Sequence, residues 1–168
     1  MNFLPKSNKA FTLVELLVAV GIIAVMTGLA VPNYLNKIRE QELKNGAQQL
    51  LTDIRRTSVK SQTSIEGTGW YVVITAPSTY SIYKCSDQVN PVSTDTLKPS
   101  TLQFTADTNI YFQKNTGILI ESDCSGTAKI STTSIEIKNT TVNKCTTINI
   151  SGSGIISYDE TNAISTCP

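Results

Sequence analysis

The chain has 168 residues, 14 basic and 13 acidic side chains, a net charge of +1 and 16% charged residues. It carries neither the basic surplus of an ordinary nucleic-acid binder nor the long single-sign blocks of a disordered tail. It has no histidine; that removes Ser-His-Asp and Cys-His catalysis, the H-E-x-x-H metal motif and the commonest zinc ligand. The glycine-rich pieces match no phosphate loop, and the acids show no spacing that a paired-carboxylate site needs. The expectation is a protein with no catalytic residues, no metal and no cofactor.

Residues Met1 to Ala10 form a short leader with Lys6 and Lys9 and no acid. From Phe11 to Val31 the chain is apolar apart from one carboxylate, Glu15. That run is long enough to cross a ~30 Å hydrocarbon core, since about 20 helical residues at 1.5 Å each suffice. The basic flank should stay cytoplasmic and the remainder should be exported. An acid inside a spanning helix costs roughly 2.5 to 3.5 kcal/mol or more at the bilayer centre, so Glu15 marks a functional site that wants a partner. A secretory signal peptide cut after Gly28-Leu29-Ala30 accounts less well for the segment, because its apolar core would be shorter and free of acids. A plain one-helix anchor would explain the length but neither Glu15 nor the amphipathic stretch beyond Pro32.

After Pro32 the pattern becomes helically periodic. Leu43, Ala47, Leu50, Leu51 and Ile54 fall on one stripe, while Lys37, Arg39, Glu40, Glu42, Lys44, Asp53, Arg55 and Arg56 occupy other faces. Pro32 removes a helical hydrogen bond and tends to kink the chain. The spacing therefore predicts one long, bent helix from about Phe11 to about Ser61, ended by Gly67-Thr68-Gly69.

From Trp70 onward β-branched and aromatic runs alternate with turn residues, the pattern of antiparallel strands. Strands are predicted at 70–75, 80–85, 102–105, 110–113, 117–121, 127–131, 134–138, 146–150 and 154–158. Ser86 to Ser100, with Pro91 and Pro99, reads as a loop. Alternation is clear in Ser134-Ile135-Glu136-Ile137-Lys138 and in Thr147-Ile148-Asn149-Ile150-Ser151, so each should have one buried and one wet face. The fold class is α+β: a long helix, half transmembrane and half amphipathic, packed on an antiparallel sheet. The divisions are a leader at 1–10, a spanning helix at 11–31, its amphipathic half at 32–66 and a β-rich head at 67–168. Some 137 residues follow the span, enough for one domain.

Cys85, Cys124, Cys145 and Cys167 all lie in the exported portion, and an even count there points to disulfides. Four cysteines permit three pairings. The preferred one joins Cys85 to Cys124 across the sheet and Cys145 to Cys167, which would pin the C-terminus; each bridge is worth roughly 2 to 4 kcal/mol.

The N-terminal motif, Ala10, Phe11, Thr12, Leu13, Glu15, Leu16 and Leu17 after a basic leader, resembles the type IV prepilin N-terminus. The resemblance implies cleavage between Ala10 and Phe11 by a prepilin peptidase, N-methylation of Phe11, and pairing of Glu15 with the N-terminal amine of a neighbouring subunit. Such pairing is physically sensible, since stranding one charge of a buried pair costs about 3 to 5 kcal/mol. Ala10 stands where the family usually has Gly. The implied partners are other pilin or pseudopilin subunits, the peptidase and an inner-membrane assembly platform. The implied location is the inner membrane, single-pass, and then a cell-surface or periplasmic filament.

In the head, Leu50 to Val59, Gly69 to Ile74, Ile110-Tyr111-Phe112 with Gly117, and Ile148 to Ile156 are similar to the minor pilin and pseudopilin group with a GspH/FimT-type head; the alternatives are a major pilin and a DNA-binding minor pilin for DNA uptake. Some members of that group bind DNA through arginines near the C-terminal strand, but the turn Ser151 to Ile156 has none. From Glu66 to Pro168 there are six lysines, no arginines and nine acids, a net of minus three. That balance argues against DNA binding by the head and leaves Arg55, Arg56 and Lys60 as its one basic cluster, better read as a solvated helix face.

Overall fold

A computed structural model describes residues 11–63, 68–117, 119–120, 124, 132–158 and 165–167. The chain divides into two compact units, Met1–Lys37 and Ile38–Pro168. A single helix, α1 (Leu13–Thr63), contributes to both. In the first unit it is mostly apolar and every side chain described is exposed.

In the second unit α1 follows the predicted stripe. Leu43, Ala47, Leu50, Leu51 and Ile54 are all buried. They meet two antiparallel sheets. The first is built from β1 (Trp70–Thr75), β2 (Thr79–Lys84), β3 (Ser93–Thr96), β5 (Thr108–Phe112) and β6 (Leu119–Ile120), in the order β3-β2-β1-β5-β6. The second is built from β4 (Leu102–Phe104), β7 (Thr133–Asn139), β8 (Lys144–Ile150) and β10 (Ser165–Thr166), in the order β10-β8-β7-β4. A further strand, β9 (Ile156–Tyr158), pairs with the far end of β8, Ile148 to Ile150, while β10 takes Lys144 and Cys145.

The helix stripe and the inward residues of both sheets form one core. The first sheet contributes Trp70, Val72, Ile74, Tyr80, Ile82, Ile110 and Phe112; the second contributes Leu102, Phe104, Ile135, Ile137, Ile148, Ile150 and Ile156. Burying each such side chain is worth about 1.5 to 3 kcal/mol. The period-2 pattern read in β7 and β8 is what puts their isoleucines inside.

Polar groups fix the helix on its bed. The Tyr80 hydroxyl donates to Asp53 Oδ2 at 2.6 Å. Ser61 Oγ donates to the carbonyls of Phe112 and Gln113 at 2.8 and 3.0 Å, and Ser58 Oγ donates to Gly117 O at 3.2 Å. These short hydroxyls let the last turns of α1 approach the turn after β5. Gly117 sits there with φ of 64°, a left-handed conformation that suits glycine. Lower on the helix, the Lys144 ammonium donates to Glu40 Oε1 at 2.8 Å and ties β8 to α1.

Several expectations need correction. Ser86 to Ser100 is not all loop, because Ser93–Thr96 forms β3 on the edge of the first sheet. Its four side chains are all polar and exposed, so the strand rests on backbone pairing with β2 and a 2.9 Å hydroxyl contact between Ser81 and Thr94, and shows no apolar alternation. Within the strand expected at 117–121, Leu119–Ile120 forms β6 and Gly117 lies outside it. The one expected at 127–131 lies outside the described residues. β10 was not foreseen, and the strands form two sheets where one was expected.

Cys85 is bonded to Cys124 and Cys145 to Cys167, which is the pairing expected from the sequence. The second bond fastens the two-residue β10 to β8, beside the Ser165 to Cys145 register pair.

Candidate functional site

The chemistry singled out in the sequence lies at the start of α1. Thr12 precedes the first helical residue, and its hydroxyl accepts the Glu15 backbone N–H at 3.2 Å while its carbonyl accepts the Leu16 N–H, also at 3.2 Å. Thr12 is thus the N-cap and Glu15 the third helical residue. A carboxylate in that first turn is favoured by the partial positive charge of the exposed amide groups. The cap was legible as T-L-V-E, a Ser/Thr-x-x-Glu signature, and sequence reasoning missed it.

Glu15 is exposed, and so is Phe11. Between Lys9 and Lys37 it is the one charged side chain in the sequence. The exposed apolar residues run from Phe11 through Leu17, Val20, Ile23 and Met26 to Val31. Among the described residues α1 is the one helix long and apolar enough to cross a membrane. Ala10 lies outside the described residues. Pro32 stands within the helical backbone of α1.

The basic cluster is engaged within the head. Arg55 Nη2 donates to Ile156 O at 2.8 Å, linking α1 to β9. Arg56 lies 4.0 Å from Asp53. The Lys60 ammonium stands 4.7 Å from the Trp70 ring centroid, and Lys84 reaches the same ring at 5.5 Å. Beside Arg55, a cleft of about 350 Å³ is lined by Gln48, Leu51, Thr52 and Tyr158. A smaller one, about 160 Å³, adjoins the Cys85 to Cys124 bond. Among the described residues neither brings together an acid, a base and a nucleophile.

Trp70 and Tyr71, adjacent on β1, take different places. Trp70 is in the core. Tyr71 sits on the outer face of the first sheet, stacked between Tyr83 and Tyr111 with ring centroids 5.0 Å apart on each side. The three are cross-strand partners in register. Burial first, and then the two neighbouring phenols, raise the Tyr71 pKa above the ordinary tyrosine value. Both faces of the Tyr71 ring are covered by its neighbours, and its hydroxyl donates to Gln88 O at 3.5 Å.

Comparison with known proteins bears on the N-terminal region. The family described as "Prokaryotic N-terminal methylation motif" matches residues 5–31. "Prepilin peptidase-dependent protein D" of Escherichia coli (strain K12) is 36% identical over 59 residues, a stretch that makes up 35% of this chain and 35% of that protein. The chain thus matches only about a third of that curated relative's length. No solved structure matches.

The capped helix start with Glu15 lies within the matched motif, and that match and the similarity to a prepilin peptidase-dependent protein support a type IV prepilin-like reading of the chain. Residues 5–31 match the N-terminal methylation motif, and among the described residues α1 is long and apolar enough to cross a membrane.

Proposed function

We propose that the chain is a minor pilin or pseudopilin of a type IV pilus or a type II secretion-like filament. Residues 1–10 are its leader, cut between Ala10 and Phe11 by a prepilin peptidase, and Phe11 is then N-methylated. Residues 11–31 span the inner membrane and later pack against other subunits on an assembly platform. Residues 32–66 and 67–168 form the exported part, and Pro32 provides a kink in the helix. The observation that carries this reading is the lone Glu15 in a helix start that is otherwise apolar and exposed.

Glu15 pairs with the N-terminal amine of an adjacent mature subunit, and apolar helix packing does the rest. Stranding one member of such a pair in an apolar bundle costs about 3 to 5 kcal/mol. Replacing Glu15 with Ala should leave processing intact while removing the subunit from sheared filaments, as read by immunoblot of the filament and membrane fractions. Wild-type incorporation of that variant would refute the pairing. The DNA-uptake alternative is disfavoured by the sheet region's net charge of minus three and by the contacts that Arg55, Arg56 and Lys60 make within the head.

A further inference from the structure

The helix carries two boundaries that do not coincide with the limits of its apolar run. After Glu15 the next charged residue is Lys37. Both lie in the N-terminal unit and on one helix. Their separation is 22 helical steps, about 33 Å at 1.5 Å per residue, close to the ~30 Å thickness of a hydrocarbon core.

The side chains near each boundary agree with that length. Asn33, Tyr34 and Asn36 cluster just before Lys37 and are all exposed, Tyr34 to 68%. An exposed tyrosine among amides and followed by a lysine has the chemistry of the headgroup level, where an amphipathic ring sits between lipid and water. Leu35 beside it is 50% exposed and apolar, so the helix surface does not become fully polar at Pro32. At the other boundary stand the Thr12 cap and Glu15. Inside the interval the Thr27 hydroxyl is satisfied, donating to Ile23 O at 2.8 Å, as a polar group in lipid must be.

We propose that the phospholipid bilayer grips this helix between Glu15 and Lys37, with Tyr34 at the outer headgroups and Glu15 at the cytoplasmic ones. The inference rests on the membrane-spanning reading and shifts its register. A span of Phe11 to Val31 is centred on Gly21, whereas the interval bounded by the two charges is centred on Met26. In the shifted register Glu15 keeps its carboxylate near water while the subunit is in the membrane. The charge is desolvated only when the helix is drawn into a bundle, where a partner amine can meet it. Phe11 then lies beyond the hydrocarbon on the cytoplasmic side, where a cut before it can be made in contact with water.

The test uses the full chain in vesicles of phosphatidylcholine and phosphatidylglycerol, with lipids brominated near the bilayer centre as quenchers. Leu13→Trp, Met26→Trp and Leu35→Trp are compared, and the signal of the native Trp70, buried in the head, is measured separately and subtracted. Quenching should be strongest for Met26→Trp, and Leu35→Trp should be quenched at least as strongly as Leu13→Trp. If Leu13→Trp is quenched several-fold more than Leu35→Trp, the span is centred on Gly21 and the proposal is overturned. Absence of quenching at all three positions would remove the membrane-spanning reading itself. Adding Glu15→Leu should move the quenching maximum toward Gly21; an unmoved maximum would overturn the role of Glu15 as the inner boundary.

Discussion

The hydroxyl of Tyr80 is the most informative single group to remove from the head. Tyr80 is buried in β2, its ring meets Phe104 edge-on with centroids 6.4 Å apart, and its oxygen lies 2.6 Å from Asp53 Oδ2 on α1. Tyr80→Phe keeps the ring and deletes the bond. Hydrogen bonds to a charged group are worth about 1.5 to 3 kcal/mol. The Asp53 side chain is 22% exposed and has Arg56 at 4.0 Å, so water and the guanidinium can compensate it in part. The expected loss is therefore at the low end, about 1 to 2 kcal/mol. Burial first, and then the bond to Asp53, push the Tyr80 pKa above the ordinary tyrosine range. The folded state thus holds its proton where the unfolded state, with a pKa near 10, has lost it. Tyr80 stabilises the fold fully below about pH 10, and its contribution declines above that at up to about 1.36 kcal/mol per pH unit. Urea unfolding of the full chain in detergent micelles, followed by the fluorescence of the single buried Trp70, measures both effects. Tyr80→Phe should lower the midpoint at neutral pH and flatten the alkaline limb, leaving the part due to Tyr71. A double-mutant cycle with Asp53→Asn should return a coupling of about 1 kcal/mol or more. A coupling below about 0.3 kcal/mol, or an alkaline limb equal to that of wild type, would show that the bond does not hold the helix to β2.

Two further changes probe the same head. Replacing Cys145 and Cys167 with Ser opens a loop with a sequence separation of 22; chain entropy puts the cost at about 3.4 kcal/mol, and hydrogen exchange at Lys144 and Cys145 should rise as β10 is released. Gly46→Ala would gain up to about 1 kcal/mol of helix propensity, but its new Cβ runs into the fully buried Leu102 side chain. Overpacking costs about 1 to 3 kcal/mol, so the urea midpoint should fall, and a rise would show that Leu102 can yield.

What the sequence made legible was periodicity. The α1 stripe and the isoleucines of β7 and β8 repeat with the geometry of their elements, and they are part of the core. The lone Glu15 was legible because one charge in an apolar run is costly. β3 was hidden because four exposed polar residues carry no alternation, and its pairing depends on where β2 already stands. The Tyr80 to Asp53 bond was hidden for a different reason. It joins residues 27 apart in sequence, and nothing local in either segment marks the other as its partner. The tyrosine row across β2, β1 and β5 likewise needs the strand order before its members become neighbours. The Thr12 cap is a local signal, carried by T-L-V-E alone, and was readable in the sequence.

In the proposed function, membrane release, the free amine that Glu15 would meet and assembly into a filament all follow from a cut before Phe11. Intact mass with N-terminal peptide mass spectrometry of the protein from native membranes decides whether that cut occurs. A mature chain that begins at N-methylated Phe11 is the expected product. A chain beginning at Val31, or an uncut one beginning at Met1, would contradict the prepilin reading.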